Sequence, residues 1–141
     1  MKTLIVHPDD RSTDFLKPIY NRLPDTTVLT GGYYPPAKMN ELIDSHERVI
    51  MLGHGWGHGL LSMKAFTYDN YIIDSKNFQA LSRKNNSIFI WCYADEFVRR
   101  YRLKGISTGM FISESLEAFL HDIAANDAEI DASNHLFSML L

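Results

Sequence analysis

The chain has one cysteine among its 141 residues, and it lacks both a long apolar run and a strong excess of one charge. One cysteine cannot form an internal disulfide and is typical of a reducing compartment, so we expect a cytoplasmic protein. The longest apolar stretch, residues 88–94, falls far short of the ~20 residues of a membrane helix. The N-terminus has no secretory apolar region either, so we expect no membrane association.

The charge balance also argues against nucleic acid as a partner. Lysine and arginine number 14 against 17 acidic residues, and a net charge of −3 offers no attraction to a polyanion. Hydrophobic residues make up 45% and charged residues 22%, proportions that exclude disorder. A chain of this length buries enough surface to fold without disulfides or metal, and no linker composition divides it. We therefore expect residues 1–141 to form a single domain, and we predict no cofactor.

Short β-type runs alternate with runs of helical period, which is the order of an α/β domain. Residues 49–52 and 88–91 are apolar on both faces, as in central parallel strands. We expect strands at residues 3–6, 26–30, 48–52, 87–91 and 106–112. Helices are expected between them, and two more at residues 116–123 and 126–140. The predicted fold is a three-layer α/β sandwich around a mostly parallel sheet of five strands.

Two local features add detail to this outline. The first helix has Ser12 or Asp14 as its expected cap, and Pro18 predicts a late start or a kink. After the third strand, glycine occupies every second position of residues 53–59. Alternating glycines forbid a stable helix and predict a loop that backbone or a ligand approaches closely. A hairpin should follow, pairing residues 60–66 with residues 71–73.

His54 and Cys92 come directly after the two doubly apolar strands. In open α/β sheets, functional groups gather outside the carboxyl ends of the strands, so neighbouring strands would bring these side chains together. A cysteine beside a histidine supplies the nucleophile and the proton-transfer group that acyl transfer requires. Gly55 has no side chain, and its N–H is a candidate donor to the oxyanion of a tetrahedral intermediate.

Residues 49–55 and 87–94 carry a resemblance to a known family. One apolar strand ends in His-Gly and a later apolar strand ends in Cys, a pattern similar to the caspase-like cysteine peptidases, which include caspases, legumains, gingipains and separases. The resemblance implies a caspase-like fold, a catalytic dyad of His54 and Cys92, Gly55 at the oxyanion hole, and a peptide or protein substrate. Trp91 stands where that family has a small or polar residue, so substrate specificity does not transfer.

Three further residues are candidates for the walls of a substrate pocket: Trp56, His58 and Tyr93. His58 is also an alternative base, but a residue placed immediately after a strand is held more firmly, which favours His54. The alternative function is a catalytically silent caspase-like interaction domain. A homodimer is compatible with either function.

A second resemblance concerns the segment that follows the first strand. His7-Pro8-Asp9-Asp10 is similar to the motif of zinc-dependent N-acetylglucosamine deacetylases. It implies His7 and Asp10 as zinc ligands and Asp9 as the base. The glutamate and glycines that follow in that family are absent here, and Pro8-Asp9-Asp10 alone makes a good turn. We therefore predict no metal site.

Overall fold

A parallel sheet is the centre of the computed structural model, which describes residues 1–31, 34–62 and 71–109. Its strands, and those of a smaller sheet, are β1 (Thr3–Val6), β2 (Thr26–Leu29), β3 (Arg48–Leu52), β4 (Gly55–Trp56), β5 (Gly59–Leu61), β6 (Tyr71–Ile73), β7 (Ser87–Ile90) and β8 (Gly105–Ser107). The α-helices are α1 (Pro36–Asp44), α2 (Phe78–Ser82) and α3 (Ala94–Tyr101), and two 3₁₀ helices span Arg11–Ile19 and Ser75–Asn77.

The large sheet has five strands in the order β2-β1-β3-β7-β8, and every pair in it is parallel. This arrangement confirms the predicted α/β class and the mostly parallel sheet. The third and fourth predicted strands are neighbours, because Leu52 of β3 pairs with Ile90 of β7. The strand expected at residues 106–112 is present as β8, but it ends at Ser107: residues 108 and 109 are not in a strand, and residues 110–112 lie outside the described residues. The two helices expected after residue 113 also lie outside them.

Alternation along the strands divides the apolar side chains between two clusters. One cluster joins alternate strand residues to the 3₁₀ helix Arg11–Ile19, and its members include Ile5, Leu16, Ile19, Ile50, Leu52, Ile88 and Ile90. The other cluster joins the opposite set to the three α-helices, and its members include Leu4, Val6, Met39, Ile43, Met51, Leu81, Phe89 and Phe97. Because side chains alternate across a strand, the two clusters cover opposite faces of the sheet, which fits the expected sandwich.

The first helix differs from its prediction. It is a 3₁₀ helix, and its cap is Asp10 rather than Ser12 or Asp14. The Asp10 carboxylate accepts a hydrogen bond from the Ser12 backbone N–H at 3.1 Å. Pro18 has no N–H to donate, and its ring crowds the carbonyl four residues earlier, which disfavours the α-helical winding.

The glycine segment also differs, because it contains a strand rather than only a loop. Strand β4 pairs antiparallel with β5, and β5 pairs with β6, which gives a sheet of three strands. The β5–β6 pairing confirms the predicted antiparallel pairing at residues 60, 61, 71 and 73, and residues 63–70 lie outside the described part of the chain. Gly59 has φ +150°, and a Cβ there would lie 2.1 Å from the Ile73 carbonyl oxygen, so the close pairing requires glycine.

Candidate active site

Three neighbouring strands bring the predicted residues to the carboxyl edge of the sheet. Strand β3 lies between β1 and β7. His54 and Cys92 each stand two residues beyond the paired Leu52 and Ile90. The Gly53 N–H donates to the Ile90 carbonyl at 3.0 Å, which holds the two strand ends together. On the other side of β3, Asp10 follows β1, so His54 leaves the sheet between an acidic residue and the cysteine.

The His54 imidazole contacts two side chains at the start of the first 3₁₀ helix. Its Nε2 atom lies 2.9 Å from Asp10 Oδ2 and 2.6 Å from Ser12 Oγ. The Ser12 hydroxyl in turn donates to Asp10 Oδ2 at 2.7 Å. These three side chains form a closed triangle, which we call the Asp10–Ser12–His54 cluster.

The cluster determines which ring nitrogen of His54 carries a proton. The pKa of Asp10 lies below its ordinary value of 3.8: desolvation by burial raises it, but the hydrogen bonds from Ser12 and the contact with His54 outweigh that effect. An ionised Asp10 only accepts hydrogen bonds, and Ser12 uses its hydrogen on Asp10. Nε2 must therefore be the donor to both oxygens, because a bare nitrogen would face their lone pairs. In neutral His54 this leaves the lone pair on Nδ1.

Cys92 lies in the turn between β7 and α3. The turn is tied to the segment after β8, since the Tyr93 N–H donates to the Gly109 carbonyl at 2.9 Å and the Asp95 N–H donates to the Thr108 carbonyl at 2.9 Å. Tyr93 is the N-cap of α3 and has φ +61°, a left-handed conformation that is unusual for an aromatic residue. Cys92 is half-buried and stands next to the N-terminus of α3.

Gly55 is packed too tightly for any side chain. A Cβ at this position would lie 2.3 Å from the Gly59 carbonyl oxygen and 2.5 Å from the Trp91 ring. The Leu61 N–H donates to the His54 carbonyl at 2.8 Å, directly beside the Gly55–Leu60 pair. In an antiparallel ladder, the pair next to a hydrogen-bonded pair is not hydrogen-bonded, and its residues direct their N–H groups away from the partner strand. The Gly55 N–H thus points away from β5, as an oxyanion donor must; its direction towards the cleft stays a prediction.

The three pocket candidates lie together. An open groove of about 350 Å³ is lined by Trp56, Gly57, His58, Tyr93, Glu96 and Arg100. Within it, Arg100 Nη1 donates to His58 Nδ1 at 3.0 Å. His58 thus accepts a hydrogen bond from a residue of α3, whereas His54 contacts the residues after β1. The two histidines therefore have different partners.

His7 lies in the core rather than at an open site. Both of its ring nitrogens are used: Tyr20 Oη lies 2.7 Å from Nδ1, and Thr13 Oγ1 lies 3.0 Å from Nε2. Desolvation by burial, aided by Lys17, holds the pKa of His7 below its ordinary value. Asp9 is exposed, and Asp10 belongs to the cluster with His54. Among residues 1–31, 34–62 and 71–109, no group of three His, Cys, Asp or Glu side chains lies close enough to hold a metal ion.

The sequence does not predict Asp10 and Ser12 as partners of His54. It indicates Asp10 only as a zinc ligand or part of a turn, and Ser12 only as a helix cap. A signal was present, because Asp10-x-Ser12 after a strand is a helix-capping pattern at the edge where His54 was expected. The sequence likewise does not predict Glu96 and Arg100 as groove residues.

The fold and the site define an α/β protein with a cysteine and a histidine at the carboxyl ends of adjacent parallel strands. No known protein family, curated protein or solved structure matches the chain. The resemblance to caspase-like peptidases therefore rests on the residues of this chain alone. No helix in the described part of the chain is long and apolar enough to cross a membrane.

Proposed function

We propose that the chain is a cysteine peptidase-like hydrolase that transfers the acyl group of a peptide substrate to Cys92. His54 is the proton acceptor and donor. Asp10 and Ser12 are positioning residues that hold the imidazole. This is the function that the resemblance to caspase-like peptidases implies, with Asp10 and Ser12 as two additional residues.

The Asp10–Ser12–His54 cluster is the observation that carries this proposal. A catalytic base needs a third group that sets its tautomer and orientation, and the 2.9 Å and 2.6 Å contacts on Nε2 provide one. They leave Nδ1 to accept a proton. His54 and Cys92 each lie two residues beyond the paired Leu52 and Ile90, whose side chains lie on the face covered by the first 3₁₀ helix. The strand register favours a contact between the two side chains.

The proposed reaction has two halves. The Cys92 thiol gives its proton to His54 Nδ1, and the thiolate attacks the peptide carbonyl carbon. The oxyanion is stabilised by the Gly55 N–H, and His54 then protonates the departing amine as the C–N bond breaks. Water attacks the resulting thioester after losing a proton to His54. The products are a carboxylate and the restored thiol.

Thiol labelling tests the proposal directly, because Cys92 is the sole cysteine of the chain. An ordinary thiol of pKa ~8.5 is ~0.3% thiolate at pH 6, so activation should raise the rate of iodoacetamide alkylation at pH 6 by about 100-fold over the urea-unfolded chain. His54→Gln should remove this enhancement. His58→Gln is the matched control and should retain it.

A second measurement addresses hydrolysis itself. The wild-type chain should cleave members of a peptide library analysed by mass spectrometry, and Cys92→Ser should cleave none. Alkylation no faster than in the unfolded chain and indifferent to His54→Gln would contradict the proposal. That result would favour the catalytically silent interaction domain instead.

A further inference from the structure

The groove beside Cys92 has features that select one class of substrate side chain. It is bordered by Tyr93, the residue after the proposed nucleophile, and by Trp56, the residue after Gly55. The groove is therefore lined by the chain neighbours of the proposed nucleophile and of the proposed oxyanion donor. The substrate side chain that would enter the groove is that of P1, the residue that precedes the bond to be cleaved.

Two aromatic side chains form the exposed walls of the groove. Trp56 is 37% exposed and Tyr93 is 40% exposed, which is high for residues of this size. The Trp56 indole N–H donates to the Tyr71 hydroxyl, and this bond orients the ring. Aromatic faces attract cations in addition to apolar surface, so a guanidinium or ammonium group stacked on them is stabilised.

The two charged residues of the groove differ in whether they have a hydrogen-bond partner. Arg100 donates to His58 Nδ1 at 3.0 Å. The Glu96 carboxylate has no hydrogen bond or ion pair with any residue of the described ranges, although Arg100 lies one helical turn away. A carboxylate with no partner in residues 1–31, 34–62 and 71–109, beside two aromatic faces, is suited to bind a cation. The carboxylate is thus available to a ligand, whereas Arg100 keeps its charge but has one N–H directed to His58.

Gly57 allows the carboxylate to lie where it does. A Cβ on Gly57 would lie 2.5 Å from Glu96 Oε2 and 3.3 Å from Glu96 Cβ. The groove floor is therefore bare backbone at the point where the carboxylate contacts it. Any side chain at position 57 would push the carboxylate away, and the flexible Glu96 side chain would yield without disturbing the fold.

We propose that the groove binds a basic P1 side chain, arginine or lysine, through the Glu96 carboxylate and the faces of Trp56 and Tyr93. This inference rests on the proposed peptidase function, because it names the substrate class of the same site. Gly57 supports it by leaving room for the carboxylate.

Peptidyl chloromethyl ketones that differ only at P1 test the proposal. Arginine and citrulline have nearly the same shape, but citrulline carries no charge, so their comparison isolates the cation. Intact-mass measurement should find that the arginine reagent alkylates Cys92 at least 10-fold faster than the citrulline reagent. Glu96→Gln should bring this ratio close to one, and Gly57→Ala should lower it. Glu41→Gln, an exposed acidic residue on α1, is the matched control and should leave the ratio unchanged.

Equal rates for arginine and citrulline, or a preference for an aspartate reagent, would overturn the groove proposal. If iodoacetamide labelling still depends on His54 in that case, the peptidase proposal stands by itself. Binding of N-acetyl-arginine amide to the Cys92→Ser chain, monitored by tryptophan fluorescence, requires no reaction at residue 92. Binding that weakens at least 10-fold in Glu96→Gln would support the groove proposal even with an inert thiol, and binding indifferent to Glu96→Gln would overturn it.

Discussion

Replacing Asp10 separates the two roles that the structure assigns to its carboxylate. One oxygen caps the first 3₁₀ helix by accepting from the Ser12 N–H, and the other faces His54 Nε2. Asp10→Ala removes both contacts. Asp10→Asn retains a carbonyl oxygen that can cap the helix, but it loses the charge and offers an amide N–H to the histidine.

The expected effects on stability are modest and differ between the two variants. Loss of the cap costs about 1 kcal/mol. The pair with His54 is partly exposed, with side chains 20% and 27% accessible, so solvent screening limits its contribution to about 0.5 kcal/mol. Asp10→Ala should therefore lower the free energy of unfolding by about 1.5 kcal/mol, and Asp10→Asn by about 0.5 kcal/mol. At a urea m-value of about 1.5 kcal/mol/M, the midpoints fall by about 1 M and about 0.3 M.

The pH dependence has a definite sign. Because the pKa of Asp10 is lowered in the folded state, its stabilisation is present above the ordinary pKa of 3.8 and is lost as the pH falls through the folded value. The midpoint difference between wild type and Asp10→Asn, measured by urea unfolding, should therefore close at low pH. A difference that stays constant from about pH 7 to about pH 2.5 would refute the assignment of an ionised Asp10.

The same variant has a much larger expected effect on the thiol. If the side-chain amide introduced by Asp10→Asn donates to Nε2, the proton of His54 moves to Nδ1 and the base is lost. Iodoacetamide labelling at pH 6 should then fall by about 100-fold, to the rate of an ordinary thiol. If Asp10 acted only as a helix cap, Asp10→Asn would leave the labelling rate of Cys92 unchanged. Asp9→Asn, at the exposed neighbouring position, is the control; equal labelling in Asp10→Asn and wild type would refute the positioning role.

Two further predictions concern stability. Gly55→Ala should lower the free energy of unfolding by about 1–3 kcal/mol, because the new Cβ meets the Gly59 carbonyl and the buried Trp91 ring. Gly57→Ala meets the flexible Glu96 side chain and should change that free energy by less than about 0.5 kcal/mol. Urea unfolding of both variants checks this, and equal losses would contradict it. His7 is neutral in the core and its pKa is lowered mainly by desolvation, so its stabilisation is complete above its ordinary pKa of 6.5 and is lost as the pH falls towards the folded value. The urea midpoint should decrease between about pH 7 and about pH 5, and His7→Gln should flatten that dependence; an unchanged slope would show that His7 is not its source.

The amino-acid sequence was sufficient to predict the α/β class and the positions of β3 and β7, beyond whose ends His54 and Cys92 lie. Strands β3 and β7 are apolar on both faces, and only a strand covered on both sides tolerates that pattern, so their central position followed from composition. His54 and Cys92 were expected at the ends of these two strands, and each lies two residues beyond the last paired residue. These properties are local, because hydrophobic period and chain-breaking residues act within a few positions.

Contacts between distant residues depended on the tertiary structure. Ser12 and His54 are 42 positions apart, and they meet only because β1 and β3 are neighbours in the sheet order. Likewise, Glu96 and Arg100 belong to an amphipathic helix with nothing local to distinguish them from a solvated face, and the packing of α3 beside Gly57 makes them part of a groove. Strand order and helix packing are set by the burial of the whole core, so a charged residue acquires its partner only when the sheet has assembled.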